Sequence, residues 1–163
     1  PLTKFCQASA AGEQEVIPAP KKRTYKDIQA VVGVVENRGR ILIQKRPEKG
    51  LFAGLWEFPG GKVESGESPE QALERELQEE LGTALEAKSL LLSIRHAYTQ
   101  YRVRLYAYLC RLRGKPKPKT RNHRWVKPEN LRRYPFPSGS TRIVRVLEDR
   151  AGLKNPWISG KKT

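Results

Sequence analysis

The chain of 163 residues contains no methionine, two cysteines and about half as many acidic as basic residues. Because it contains no methionine, we expect it to be a fragment of a longer translation product. Its longest apolar stretch, residues 30–35, is far shorter than the roughly 18 residues that cross a bilayer, so a membrane-spanning protein is excluded. Cys6 and Cys110 are too few for a disulfide framework, and without a secretory signal a cytoplasmic location is expected.

The scarcity of acidic residues leaves 17 Asp and Glu against 32 Lys and Arg, a formal net charge of +15. Such a surplus favours a polyanionic partner, with nucleic acid as the first hypothesis. The alternative is that the charge only confers solubility. From residue 87 to residue 128 there is no acidic residue but there are twelve lysines and arginines, which predicts a surface suited to a phosphate backbone.

Three regions differ in composition along the chain. Residues 1–27 have three prolines and no sustained hydrophobic period, which predicts a linker. Residues 28–152 are predicted to form one domain, followed by a basic tail over 153–163. Apolar patterns within the domain predict strands and helices. The strands are expected at 28–35, 41–43, 90–94, 101–112 and 124–126, and the helices at 69–81 and 141–150.

The helix over 69–81 has the clearest boundaries. Ser68 can cap it, Pro69 suits its first position, and Gln71 completes a capping box. Gly82 supplies the stop signal at its other end. Leucines recur every four residues and form a stripe that faces the core, at Leu73, Leu77 and Leu81.

Three glutamates share an arc of this helix next to the leucine stripe. Glu76, Glu79 and Glu80 stand at i, i+3 and i+4, and their carboxylates repel one another unless a cation neutralises them. Oxygen ligands suit Mg2+ or Mn2+. The alternative is a solvated acidic face. The metal site is favoured because seven of the seventeen acids lie between residues 64 and 80, and because Gly60-Gly61 lets the backbone approach a ligand closely.

The spacing of Gly61, Glu67 and residues 75–82 resembles the Nudix box, with a departure only at Thr83. This resemblance implies an α/β (α+β) fold in which a mixed β-sheet is sandwiched between helices, and a loop-helix-loop that binds Mg2+ beside a diphosphate. It further implies roles by position. The implied metal ligands are the Gly61 carbonyl, Glu76, Glu79 and Glu80, with Glu67 completing the site and Arg75 orienting the glutamates. Glu79, Glu80 and Arg75 would be catalytic in a hydrolase.

A second resemblance covers residues 5–8, 12–18 and 51–60. They are similar to the region of MutY-type adenine DNA glycosylases that follows the iron–sulfur motif and enters the MutT-like C-terminal domain. The resemblance implies that Cys6 is the last ligand of a [4Fe–4S] cluster in a parent protein, whose other ligands and glycosylase domain this chain lacks. The alternative for Cys6 is a plain free thiol. A monomer associated with the nucleoid is expected. Its expected partners are that glycosylase domain and duplex DNA containing 8-oxoguanine.

The same resemblance assigns residues to DNA recognition. Residues 96–101 resemble the loop with which the glycosylases read the lesion, with Tyr98, Thr99 and Gln100 at the reading positions. The alternative is an ordinary hairpin turn. Duplex DNA is expected to contact the basic loop that follows, at Lys115, Lys117, Lys119 and Arg121.

A different function is open to a chain with an intact box. MutT-type enzymes use it with Mg2+ to hydrolyse 8-oxo-dGTP to 8-oxo-dGMP and pyrophosphate. Two features count against hydrolysis: residues 87–128 lack the further acid that such enzymes have there, and Ser140 replaces the asparagine that reads the oxidised base. DNA recognition is therefore the main hypothesis from sequence, and hydrolysis is the alternative.

Overall fold

The computed structural model describes residues 25–98, 100–114, 116 and 122–152, without the side chains of residues 88 and 98. The strands are β1 (Lys26–Asn37), β2 (Arg40–Lys45), β3 (Trp56–Glu57), β4 (Gly60–Lys62), β5 (Leu85–Tyr98), β6 (Tyr101–Leu112) and β7 (His123–Val126). The helices are α1 (Pro69–Leu81), a 3-10 helix (Pro128–Arg133) and α2 (Ser138–Arg150). None of the helices in these described ranges is long and apolar enough to span a membrane.

Within the described residues, seven strands form one mixed sheet. Its main path is β3-β2-β1-β6-β5, while β4 pairs with β1 and β7 pairs with β2. The central pair, β1 and β6, is parallel, and every other pair is antiparallel. In the β1–β4 pair Val31 stands opposite Gly61, so the glycine pair before α1 lies against the middle of the sheet.

Each face of the sheet is covered by one helix, because β1 and β6 alternate apolar residues toward both faces. The α1 face buries Val31, Val35, Leu42, Ala72, Leu73, Leu77, Leu81, Tyr108 and Cys110. The α2 face buries Val34, Ile41, Ile43, Phe58, Ile94, Ala107, Val126, Leu131, Ile143, Val144 and Leu147. A mixed sheet between helices confirms the predicted fold class.

Helix α1 confirms the predicted boundaries and capping. The Ser68 hydroxyl accepts a hydrogen bond from the Gln71 backbone N–H at 3.2 Å, and the Gln71 side chain accepts one from the Ser68 N–H at 2.8 Å. At the other end Gly82 adopts a left-handed conformation with φ 60° and donates its N–H to the Gln78 carbonyl. Because α1 spans all of 69–81, the three glutamates have the helical spacing that was expected of them.

Other elements differ from the sequence prediction in their extent. Strand β1 begins at Lys26, two residues before the predicted start of the domain, and α2 begins at Ser138 rather than 141. Strand β5 covers 14 residues rather than five, because it pairs with β6 over its length through two irregularities in register. The short strands β3 and β4 were not predicted, since two or three residues carry no hydrophobic period. Cys110 is buried in the α1 face of the core.

Candidate active site

Glycine is required at positions 60 and 61 because the loop backbone there lies very close to β1 and to the Glu76 side chain. Gly60 has φ 147°, and a Cβ there would lie 2.2 Å from the Val31 carbonyl oxygen. A Cβ on Gly61 would lie 2.1 Å from Oε1 of Glu76. Since a Cβ cannot approach another atom so closely, glycine at both positions lets the loop backbone lie against β1 and the Glu76 carboxylate.

Arg75 joins the loop to the carboxylates of α1. Its Nε and Nη2 donate to the two carboxylate oxygens of Glu67 at 3.2 and 2.7 Å, and Nη2 also donates to the Lys62 carbonyl at 3.1 Å. Its Nη1 donates to Glu76 at 3.0 Å and lies 3.8 Å from Glu79. The hydrogen bonds from Arg75 lower the pKa of Glu67. Arg75 therefore stands between Glu67 and the glutamates, where it can orient them.

Glu80 is partly buried and receives a hydrogen bond on each of its carboxylate oxygens. Its Oε1 accepts a hydrogen bond from Nε2 of Gln44 at 2.9 Å, and its Oε2 accepts one from the Gly60 N–H at 3.0 Å. Burial raises the pKa of Glu80 to about 7; these two hydrogen bonds oppose the shift, and the charges of Glu57 and Glu76 add to it. The carboxylate thus ties α1 to both β2 and the glycine loop.

Strands β2 and β3 add a carboxylate that the sequence analysis missed. Gln44 stands opposite Glu57 in the β2–β3 pair, and its Nε2 lies 3.5 Å from Oε1 of Glu57. Arg46 Nη1 donates to the other oxygen of Glu57. Burial raises the pKa of Glu57, and the charge of Arg46 opposes that shift. The sequence signal for this carboxylate was the position of Glu57, three residues before Gly60. Only the pairing of β3 with β2 brings Glu57 near Glu80.

This arrangement removes one objection to hydrolysis. Residues 87–128 supply no acid to the site, yet Glu57 contributes a further carboxylate from β3. Gln44, of which 8% is exposed, bonds Glu80 and lies near Glu57, so it holds the two carboxylates near each other. The site is thus built from α1, the glycine loop, β2 and β3.

The donor set fits a hard divalent cation. Its oxygen ligands are the kind that Mg2+ prefers, and the missing side chain of Gly61 leaves its backbone close to Glu76. As they stand, the side chains in the described part of the chain form no group of three or more that could hold a metal ion. Mg2+ in phosphoryl-transfer sites, however, commonly takes only one or two carboxylates, with waters and substrate phosphates completing its shell.

The remaining predicted site residues are spread over several environments. Glu79 lies at the rim of the carboxylate cluster, with 57% of its side chain exposed. Gln100 is exposed in the turn between β5 and β6, and its Nε2 donates to the Tyr101 hydroxyl at 3.3 Å. Ser140 is buried in the first turn of α2. The structure does not describe the remaining predicted residues, which are the Tyr98 side chain, Cys6, Thr99, Lys115, Lys117, Lys119 and Arg121.

Comparison with known proteins decides the family of this carboxylate site. A family model described as NUDIX domain matches residues 30–146. The chain belongs to the Nudix family. It is 33% identical to the 8-oxo-dGTP diphosphatase of Escherichia coli K12 over 126 residues, which is 76% of this chain and 98% of that relative. It is 56% identical to the CTP pyrophosphohydrolase of the same strain over 57 residues, 35% of this chain and 42% of that relative.

Two solved structures share the fold. The solution structure of the E. coli ORF135 protein superposes with a TM-score of 0.66 at 30% identity, covering 88% of this chain and all of that one. The MutT NUDIX hydrolase from Burkholderia pseudomallei superposes with a TM-score of 0.64 at 32% identity, covering 76% and 97%.

These relatives overturn the second resemblance. The prediction of a MutY-type glycosylase domain is wrong, because the chain matches separate MutT-type diphosphatases over as much as 98% of their length. The predicted partners, duplex DNA and a glycosylase domain of the same parent chain, are wrong for the same reason. The [4Fe–4S] cluster assigned to the parent through Cys6 has no support either. The Nudix assignment stands, and Nudix hydrolases use a divalent metal such as Mg2+.

Proposed function

We propose that this Nudix protein is a MutT-like diphosphatase that hydrolyses 8-oxo-dGTP to 8-oxo-dGMP and pyrophosphate. The observation that carries the proposal is the set of carboxylates around Gly60-Gly61, in which Glu57, Glu76 and Glu80 come from two different elements. Support for the substrate comes from the E. coli relative, which is named an 8-oxo-dGTP diphosphatase and is matched over 98% of its length.

Mg2+ would be held by Glu76 and Glu80 of α1 and by the Gly61 carbonyl, with Glu57 close by. When bound, it supplies positive charge that neutralises the phosphate oxygens as the bond breaks. In the reaction one water adds across the phosphoanhydride bond between the α and β phosphorus atoms. A P–O bond to the water oxygen forms and the P–O bond to the bridging oxygen breaks. The bridging oxygen leaves with the other phosphate group, and the water releases one proton to the solvent.

The residues of this chain divide the remaining tasks. Arg75 and Gln44 hold the carboxylates in position through the hydrogen bonds described above. Glu79 is the exposed carboxylate, and its nearest described partner is Arg75 at 3.8 Å, so it can accept a hydrogen bond from the attacking water. Gly60 and Gly61 let the loop backbone lie against β1 and the Glu76 carboxylate, which keeps the Gly61 backbone beside the glutamates.

The proposal is tested by turnover of 8-oxo-dGTP with Mg2+. We expect the protein to release pyrophosphate at about 1 per second or faster, within the usual enzyme range, and the Glu79→Gln/Glu80→Gln variant to lose activity by orders of magnitude. The control is Glu74→Gln, which removes an exposed charge from the same helix and should retain activity. Inactivity of the parent protein toward every nucleotide offered would refute the proposal, as would full activity of the double variant.

A second substrate is favoured by two observations. Ser140 replaces the asparagine that reads the oxidised base in MutT-type enzymes, and one relative of high local identity is named a CTP pyrophosphohydrolase. A panel of 8-oxo-dGTP, dGTP and CTP separates the two candidates through kcat/KM. The highest value for 8-oxo-dGTP supports the main proposal, and the highest value for CTP supports the second.

A further inference from the structure

Three arginines gather on strands that the carboxylate site does not use. Arg95 of β5 stands directly opposite Arg104 of β6, and Arg102 lies two residues before Arg104 on the same face of the sheet. We refer to Arg95, Arg102 and Arg104 as the arginine cluster. All three are exposed, and they line a cavity of about 600 Å3 together with parts of β1.

The arginine cluster has little internal compensation. None of its guanidinium groups forms an ion pair with any carboxylate that the structure describes. Asp27 also lines the cavity, so three positive groups face one negative group there. Like charges directly opposite each other destabilise a sheet, and Arg95 and Arg104 are such a pair. Stability of the sheet alone does not account for this arrangement.

Two contacts of polar groups adjoin the arginine cluster. The Tyr106 hydroxyl donates to Oε1 of Gln29 at 3.2 Å, which leaves the Gln29 amide N–H groups available as donors. The Arg102 guanidinium lies 4.7 Å from the centre of the Tyr25 ring, which restricts its orientation. Gln29 stands opposite Arg104 in the β1–β6 pair, so the amide and the guanidinium groups share one face.

We infer that the arginine cluster is a binding site for a condensed phosphate, separate from the carboxylate site. Planar guanidinium groups bind phosphate oxygens through two parallel hydrogen bonds, and a di- or triphosphate carries enough negative charge for three of them. The cavity volume lies within the range of small-ligand sites. The condensed phosphate can be free or part of a nucleotide, because the cluster recognises only the shared chemistry.

The test is a titration of the 15N-labelled protein with inorganic triphosphate, in EDTA so that no divalent metal is present. We expect the amide signals of β5 and β6 around the cluster to shift in a saturable manner. The Arg95→Gln/Arg104→Gln variant should bind about tenfold more weakly or worse. The matched control, Arg142→Gln/Arg145→Gln, removes two exposed charges from α2 and should bind like the parent.

Further arms identify the ligand class. A nucleoside triphosphate that shifts the same amides at lower concentration indicates a nucleotide as the source, and equal affinity for inorganic triphosphate indicates free condensed phosphate. Citrate binding as tightly as triphosphate overturns the assignment to phosphate. Equal weakening by both double variants also overturns it, because the attraction would then be the general charge of the protein. Signals that shift only at α1 place binding in the carboxylate site and refute a separate site.

Thermal unfolding adds an independent readout. Because Arg95 and Arg104 repel each other, the Arg95→Gln variant should be at least as stable as the parent protein. A clear loss of Tm would mean that the pair has a structural role and would contradict the inference. Binding at the arginine cluster is independent of the proposed hydrolysis. The Glu79→Gln/Glu80→Gln variant should therefore still bind triphosphate there.

Discussion

Glu80 shows how a single side chain is both stabilised and strained by its surroundings. Both carboxylate oxygens accept hydrogen bonds, from Gln44 and from the Gly60 backbone, yet burial outweighs them and raises the pKa of Glu80 to about 7. The nearby charges of Glu57 and Glu76 act in the same direction as burial. The folded protein therefore resists ionisation of this carboxyl group, as expected for a buried carboxyl group near other carboxylates.

This conflict predicts a pH-dependent stability difference for Glu80→Gln in EDTA. The folded pKa lies above the usual 4.5, so the protonated carboxyl group's contribution to stability is complete below pH 4.5 and is lost as the pH rises through about 7. Glutamine has no such proton to lose. Relative to the parent, we expect the variant to gain about 1–2 kcal/mol of unfolding free energy between pH 5 and pH 8, a value discounted for partial exposure.

Urea unfolding at the two pH values measures this gain. Glu74→Gln, on the exposed side of α1, removes a carboxylate that is not enclosed and should show a smaller change between the two pH values. If the free energy of unfolding of Glu80→Gln differs from that of the parent by the same amount at pH 5 and pH 8, burial does not destabilise the ionised Glu80 carboxylate.

At the scale of elements, the closeness of α1 to the sheet depends on a glycine in β1. A Cβ on Gly33 would lie 2.6 Å from Cδ1 of Leu77 and 3.2 Å from Sγ of Cys110. Leu77 is completely buried in the α1 face of the core. Without a side chain at Gly33, the helix that bears the glutamates can pack directly on the central strand, which keeps α1 close to the loop and β2.

Gly33→Ala is therefore expected to destabilise the protein by about 1–3 kcal/mol, the usual cost of overpacking a core. The matched control is Gly139→Ala in α2, where the new Cβ would make only an ordinary contact of 3.8 Å with Leu105. That change should be neutral or slightly stabilising, because alanine favours helix more than glycine does. Equal midpoints of urea unfolding for both variants would mean that α1 shifts at no cost.

At the scale of the whole molecule, charge is unevenly distributed. The chain has a formal net charge of +15, while the carboxylate site concentrates acids on α1 and β3. The arginine cluster lies on β5 and β6. A large net charge destabilises the compact state through self-repulsion, which dissolved salt screens.

We accordingly expect Tm at pH 7 to rise with NaCl between about 0.01 and 0.15 M, as the Debye length falls from about 30 to about 8 Å. The same titration near pH 10, close to the sequence pI of about 10.1, is the control and should give a much smaller rise. Tm values that fall with salt at pH 7 would show that the ion pairs of the fold contribute more than the overall repulsion.

Local sequence predicted much of the fold and the part of the carboxylate site that lies on α1. The capping residues Ser68 and Gln71 with the stop at Gly82 define α1, because these preferences act within a few residues of the chain. The helical period then places Glu76, Glu79 and Glu80 on one arc without reference to the rest of the molecule. The spacing of the box residues led to the Nudix assignment, which the family model confirms. The similarity of residues 5–8, 12–18 and 51–60 led to the prediction of a glycosylase domain, which the relatives overturn.

Only the tertiary structure decided what surrounds those glutamates. Glu57 and Gln44 are 13 residues apart in the chain and come together because β3 pairs with β2. Gln44 meets Glu80 across 36 residues, and Arg95 meets Arg104 through the register of two long strands. Strand pairing and register depend on contacts between distant segments, so no local pattern contains them. For the same reason the sequence predicted the charges of this protein but not which of them face one another.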